Sequence, residues 1–309
     1  MSELHKFIFD GLPVRGALVR LTDTWQELLQ RRSASGQGSG YPQPVVHMLG
    51  QMTAAATLLR SSIKFDGSLI LQVAGDGPVP VAVAEVDAQL RLRAMATLSA
   101  PIEEDTTLVQ LVNAAGRGRC AITLDPRGLG PGRKAWQGVV PLADASGQPL
   151  TSVAQMITGY MRQSEQLETA LVLAADTRAA CGLMVQRMPG QQGSDADAHT
   201  RLGTLAQSLG AQELLELDAA TILRRLFWDE PLQLLDIARP AFHCTCDRQR
   251  VAAMLQGLGE AEVMAILREQ ERVEVNCEFC GAQQRFDAVD VAALFSAGQP
   301  QVASPAAIQ

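Results

Sequence analysis

Four of the six cysteines in this 309-residue chain fall into two tight pairs, Cys244-Thr-Cys246 and Cys277-Glu-Phe-Cys280, with residues 247–276 between them. Two short-spaced thiol pairs on one compact segment can converge on a single tetrahedral ion, and zinc is the expected occupant. Four thiolates close the shell and leave no position for water or substrate, which argues against hydrolytic metal catalysis. The same sulfurs can instead bond to one another. A sulfur in a disulfide is no longer a thiolate, so oxidation and metal binding compete. The cluster is therefore a candidate switch, although a permanent structural zinc ribbon is the plainer reading of the spacing. Residues two apart on an extended strand have Cα atoms about 6.6 Å apart, near the limit for a relaxed disulfide. A Cys244–Cys246 bridge would need local bending and should reduce readily, whereas Cys277–Cys280 has the spacing of ordinary redox dithiols. His243 is a substitute ligand at most, since four thiolates suffice, and an exposed or locally bonded histidine is the simpler reading.

The cysteines sit in a segment, residues 240–290, whose own core is thin. Val251, Met254, Leu255 and Leu258 form one helical stripe, and Val263, Met264, Ile266 and Leu267 a second. A module of roughly 50 residues commonly needs a metal to hold its fold. Structural zinc supplies apparent binding energies on the order of 10–16 kcal/mol, so losing the ion should unfold the module.

Upstream, residues 1–190 read as an α+β core of β-sheet packed with helices. Residues 1–31 pass from strand to helix, and SASGQGSG (Ser33–Gly40) is a surface loop by composition. The spacing predicts a helix over Pro42–Lys64, with Val45, Val46, Leu49, Met52, Ala56 and Leu59 on one apolar face. LILQVA and VPVAVAEV flank Gly75-Asp76-Gly77-Pro78 as a strand pair, and RLRAMATL, CAITLD, WQGVVPL, ALVLAAD and CGLMVQRMP give further strands. A helix over Val153–Ser164 has Val153, Met156, Ile157 and Tyr160 on one face. Residues 191–239 read as a helical linker, opening with the polar stretch QQGSDADAHT and continuing as short leucine-rich helices over 202–227. Asp218 is a credible N-cap for ATILRRLF. Short helices of this kind are marginal alone and need a surface to cover their apolar faces. Residues 291–309 read as a disordered tail, most clearly after Phe295.

Composition removes several function classes. Lys+Arg total 26 against 33 Asp+Glu, a net charge of −7, which argues against a nucleic-acid or anionic-membrane surface. The start MSELHKFIFDGLP lacks a secretion signal, and no apolar run reaches the eighteen or so residues of a membrane span. A cytoplasmic location follows, where clustered cysteines are metal-binding or redox-sensing. GDGP lacks the helix and Lys-Ser/Thr pair of a phosphate cradle and reads as a turn. Cys120 and Cys181 lie among apolar strand residues and read as buried structural thiols, the methionines are mainly core filler, and His5, His47 and His199 are scattered. No metalloprotease or nucleophile-elbow motif is present.

The chain resembles the redox-regulated bacterial heat-shock chaperones of the 33 kDa chaperonin family. VRGALVRLTDTWQELL, YPQPVVHMLGQMTAAATLLRSSIKFDG, LILQVAGDGPVPVAV, YMRQSEQL with GLMVQRMP, and HCTCDRQR with CEFCGAQQRFDAVD carry the likeness over nearly the whole chain. The Ser33–Gly40 loop is longer than usual there, and the Ala-rich tail falls outside the pattern. The resemblance implies an ATP-independent holdase, not an enzyme, that is inactive while reduced and holding one zinc ion on Cys244, Cys246, Cys277 and Cys280. It implies Cys244–Cys246 and Cys277–Cys280 disulfides on oxidation, zinc release, unfolding of the module and linker, and homodimerisation. Unfolding client proteins would be bound and later passed to ATP-dependent foldases. Client contact is assigned to the linker and the core surface beneath it, with Leu202, Leu205, Leu209, Leu214, Leu215, Leu223, Leu226 and Phe227 as the contact residues. These helices are expected to lose support when the module melts.

Two other functions compete. A zinc-ribbon nucleic-acid adaptor is opposed by segment 240–290, where nine acids outnumber five arginines. A thiol–disulfide oxidoreductase built on Cys277–Cys280 would place the dithiol at a helix N-terminus on a thioredoxin-like scaffold and would not need a second pair.

Overall fold

A computed structural model describes residues 1–34, 40–126, 135–188 and 197–296. The chain opens with the hairpin β1 (Glu3–Phe9) and β2 (Val14–Leu21), then α1 (Asp23–Ala34) and α2 (Gln43–Ser61). The meander β3 (Gly67–Ala74), β4 (Val81–Val86) and β5 (Arg91–Thr97) leads through α3 (Leu108–Val112) to β6 (Arg119–Pro126) and β7 (Trp136–Pro141). Next comes α4 (Val153–Tyr160), which widens into a π-helical turn at Met161–Glu165, and then β8 (Thr169–Ala175) and β9 (Ala180–Arg187). Three short helices follow, α5 (Ala198–Gln207), α6 (Ala211–Glu216) and α7 (Ala219–Leu226), then β10 (Leu232–Ala238) and β11 (Ala241–Phe242). The chain continues with α8 (Arg248–Leu258), α9 (Glu260–Gln270), the ribbon β12 (Val273–Asn276) and β13 (Gln283–Phe286), and α10 (Ala288–Ser296). The fold is α+β.

Two sheets enclose α2. One has the order β10-β1-β2-β9-β8, the other β11-β5-β4-β3-β6-β7, and all their pairings are antiparallel except β11 with β5. The sequence pattern points to one apolar face on α2, yet the helix is buried nearly all round, from Pro44 to Arg60. Sandwiched between sheets, it leaves only an N-terminal edge at Gln43 and His47 in solvent, and its buried polar groups are answered internally. The Thr53 and Thr57 hydroxyls donate to the carbonyls of Leu49 and Thr53, and Arg60 donates to those of Ile63, Phe65 and Gly67. Asp76 in the GDGP connection accepts from the backbone N–H groups of Ala115 and Arg117, fixing the loop that leads into β6.

The outer face of the first sheet carries a second core. There Phe7, Phe9, Leu18, Leu183 and Val185 pack against α5, α6 and α7. Arg20 on β2 donates to the carbonyls of Leu214 and Leu217 (3.1 and 2.8 Å), pinning α6 at its C-terminal end. The Asp218 side chain accepts from the Thr221 N–H (2.9 Å), making it the N-cap of α7.

Three stretches differ from the sequence reading. Residues 232–238, placed in a helical linker, form a strand that pairs with the β1 edge. Pro231 and Pro240 bracket this segment, and pairing with the open β1 edge satisfies its backbone. Residues 291–296, placed in the tail, belong to α10. Val291 is buried there, with Leu294 and Phe295 packed beside it, so an apolar helix face closes the small third core. Within that core the two expected stripes contribute unequally: Leu255, Val263 and Leu267 are buried, while Met254, Leu258 and Met264 are exposed. The expected loop at Ser33–Gly40, the polar stretch after Pro189 and the tail beyond Ser296 fall wholly or largely outside the described residues.

Candidate metal centre

The first cysteine pair is delivered by a two-residue strand. β11 runs parallel to β5, the Ala241 and His243 N–H groups donate to the carbonyls of Leu90 and Leu92, and the Pro240 carbonyl accepts from Thr24 on α1. Cys244 therefore emerges beside β5. Asp247 then caps α8 through the Arg250 N–H (2.7 Å), turning the chain away just after Cys246. The second pair occupies the turn of the β12–β13 ribbon. The Cys277 N–H donates to the Ala282 carbonyl, and the Gly281 N–H donates to the Cys277 carbonyl. At φ +69°, Gly281 takes a left-handed conformation that an L side chain would strain.

All six cysteines are free, and the four paired ones meet. Cys244 Sγ lies 3.6 Å from Cys277 Sγ, Cys246 Sγ lies 3.1 Å from Cys280 Sγ, and all four sulfurs lie within 4.8 Å of one another. A tetrahedron with metal–sulfur bonds of 2.3 Å has edges of about 3.8 Å. The cluster brackets that value, so the donor set fits a four-thiolate ion and is compatible with zinc. His243 is exposed and stands outside the cluster.

Charge in the cluster is unevenly held. The hydrogen bond from the Cys277 thiol, helped by the Arg93 guanidinium, brings Cys244 down to about 4. Burial, then its contact with Cys280, pushes Cys246 up to about 12, and Cys277 is raised mainly by its bond to Cys244. A divalent cation bound by these sulfurs would favour their thiolate forms. Cys120 and Cys181 contrast with this: each is fully buried, and burial pushes their thiols up to about 12 and about 11, which leaves them inert.

Arg93 is the residue that sequence reasoning missed. It lies on β5 opposite Glu85, to which it is paired at 2.6 Å. Its guanidinium also reaches Thr245 Oγ1 (3.2 Å) and Cys244 Sγ (3.9 Å) and lies 4.2 Å from the centre of the Phe279 ring. Burial opposes its charge, but Glu85 and Cys244 outweigh that and raise its pKa. One side chain thus grips both cysteine loops from the sheet. Arg32 adds a second link to Glu278 (3.7 Å), and Arg31 lies over the Phe242 ring. The available sequence signal was faint: a charged residue recurring on the outer face of both VAVAEV and RLRAMAT.

The eight proposed contact residues also come together, elsewhere. Leu202, Leu209, Leu214, Leu223 and Phe227 are buried, and Leu205, Leu215 and Leu226 are partly buried, all within the second core. Phe227 lies 5.9 and 5.1 Å from the rings of Phe7 and Phe9. Their main packing is not on the cysteine module: α5 and α6 pack mainly on β8 and β9, while β11 meets α1 and β5.

Comparison with known proteins bears on the whole chain. The family model described as Hsp33 protein matches residues 2–287. A 33 kDa chaperonin of Methylobacillus flagellatus is 38% identical over 297 residues, covering 96% of this chain and 94% of the relative. One from Chromobacterium violaceum is 41% identical over 294 residues, covering 95% and 94%. In fold, the chain matches the crystal structure of a 33 kDa chaperonin (heat shock protein 33 homologue) from Thermotoga maritima with a TM-score of 0.76 at 18% identity, covering 96% of this chain and 98% of that one. The chain belongs to the Hsp33 family of chaperones.

Proposed function

We propose that this chain is a redox-regulated, ATP-independent holdase of the bacterial cytoplasm, held inactive by zinc on Cys244, Cys246, Cys277 and Cys280. The observation that carries the reading is the convergence of the four sulfurs, set in a small module fastened to the sheet by Arg93 and a two-residue strand. Bound zinc would cross-link the loop after β11 to the β12–β13 turn, and it would supply no further chemistry. The module's core has only six buried side chains, Leu255, Val263, Leu267, Val273, Phe286 and Val291, so that cross-link is what holds the fold.

Oxidation removes the ligands. In each pair two thiolates give up two electrons to a peroxide, a sulfur–sulfur bond forms, and the peroxide takes up protons and leaves as water. Cys244–Cys246 and Cys277–Cys280 are the proposed products, and neither disulfide offers a thiolate to a metal. With the module melted, Arg93 loses its partners at Cys244 and Phe279, and β11 loses the fold that presses it on β5. The next segment upstream is β10, paired only with β1, and then α7. Peeling along this route withdraws Phe227 from Phe7 and Phe9 and bares the leucine faces of α5–α7 with the sheet beneath them. Such a surface binds unfolding chains without sequence preference. The oxidised form is proposed to dimerise and to hold its clients for ATP-dependent foldases.

The test is light scattering from thermally denaturing citrate synthase, without ATP, in the presence of reduced zinc-loaded or peroxide-treated protein. Suppression by the oxidised protein alone is expected. Equal suppression by both forms would overturn the reading.

A further inference from the structure

At the C-terminal end of α2, a cleft of about 230 Å³ opens between the two sheets. Its walls are largely apolar, with Leu59, Ile63, Ile122, Leu124 and Leu167 among them, and Trp136, 45% exposed, is also part of the lining. Two polar groups in this lining are not used up by the fold. Arg15 is half-buried and, among the described residues, makes no ion pair; its guanidinium donates there only to Gln186 Oε1 (2.6 and 3.3 Å) and the Ser62 carbonyl (3.0 Å). Gln186, 0% exposed, is itself fixed by donating to Thr169 Oγ1 (2.9 Å), so Arg15 is held in place by a built polar support. The second group is Tyr160, 1% exposed, whose buried hydroxyl has Ser164 and Glu165 as polar neighbours but no hydrogen bond as short as 3.5 Å among the described residues. Burial and then the neighbouring Glu165 raise its pKa, which keeps it an O–H donor. Gly138 on β7 makes room for that hydroxyl, because a Cβ there would overlap it.

We propose that this cleft binds a small monocarboxylate with an apolar body, the carboxylate on the two unused Arg15 N–H groups and the Tyr160 hydroxyl, the body against the apolar walls. A half-buried guanidinium without a counter-charge leaves a positive field in a low-dielectric cleft, and a planar carboxylate matches its fork. Glu165 also lines the cleft beside that hydroxyl and opposes a second carboxylate, but it is exposed, so solvent weakens the opposition. The volume suits on the order of ten non-hydrogen atoms and excludes a polypeptide segment, so this site is separate from client capture.

The experiment is isothermal titration of the reduced, full-length protein with 3-phenylpropionate and with its neutral amide. Saturable binding of the acid is expected, with the amide at least about tenfold weaker. Arg15→Met should bring the acid down to the level of the amide and leave the amide unchanged. Tyr160→Phe keeps the buried ring and removes only the hydroxyl, so it should fold as the wild type does and bind the acid a few-fold more weakly. Should Arg15→Met fail to fold, the acid-to-amide ratio and Tyr160→Phe decide. No saturable binding by about 10 mM, equal affinity for acid and amide, or unchanged affinity in Tyr160→Phe would each overturn the proposal.

Discussion

Replacing Arg93 with methionine should release the cysteine module from the sheet without unfolding the sheet. The magnitude follows from what the guanidinium touches across the junction. Its hydrogen bond to Thr245 is worth about 1 kcal/mol, its position over Phe279 about 0.5–1 kcal/mol, and its attraction to the charge on Cys244 about 1 kcal/mol more. Methionine keeps the aliphatic packing and loses all three, so docking should weaken by about 2–3 kcal/mol, a factor of about 30–150 in the docked-to-undocked ratio. Hydrogen exchange on the reduced, zinc-loaded protein reads this directly. Amides of 241–246 and 273–286 should exchange about 30–150 times faster, while those of β3 and β6 keep their protection. Zinc release under peroxide should speed up in parallel. A change of no more than about twofold in the module's exchange would refute the idea that this arginine couples the metal centre to the sheet.

Other outcomes follow from the same contacts. Chelating the metal from the reduced protein should unfold 240–296, β11 included, and loosen β10 and α7 on the peeling route while β1–β9 and α2 keep their protection, seen as loss of dispersed amide signals from the module first; a folded apo module would contradict the thin-core argument. Phe227→Ala removes a buried ring from the Phe7–Phe9 cluster and should cost about 3–5 kcal/mol of α7 docking, giving partial holdase activity before any oxidation; activity that still requires oxidant in full would count against the peeling route. Arg20→Met loses two charge-assisted bonds to the Leu214 and Leu217 carbonyls and should loosen α6 and the start of α7 by about 1–3 kcal/mol, read by exchange of those helices. The Asp218 carboxyl lies below the usual range because it accepts the Thr221 N–H. A depressed folded pKa means that its contribution is complete above about pH 4 and disappears as pH falls through the folded value. Wild type and Asp218→Asn should therefore differ in α7 protection near neutrality and converge in acid; a difference that persists at the lowest pH would show the cap is not electrostatic.

Local pattern revealed most of the strands, because alternation and β-branched runs reflect burial on one face, and each segment read as a strand between 69 and 187 contains one. It revealed the cysteine cluster because ligand chemistry fixes spacing within each pair. What stayed hidden depends on tertiary placement. The all-round burial of α2 could not be read from one stripe, since Ala54, Ala55 and Ala56 look neutral in sequence but let two sheets approach. The strand at 232–238 gains its identity from the β1 edge 230 residues away, not from its own residues. Arg93 is one arginine among many until β5 meets the loop after β11. Tyr160 was legible as a helix-face residue, but the packing of its hydroxyl against Gly138 on β7 was not.

The central claim is that the four sulfurs hold either a metal or each other, and that this choice opens the client surface. One titration tests it: stepwise peroxide at elevated temperature, with free thiols, released zinc and suppression of citrate synthase aggregation measured on the same aliquots. The account expects four thiols lost per zinc released, with holdase activity rising in step with both. Full activity while the metal remains bound, or complete metal release with no activity, would contradict it.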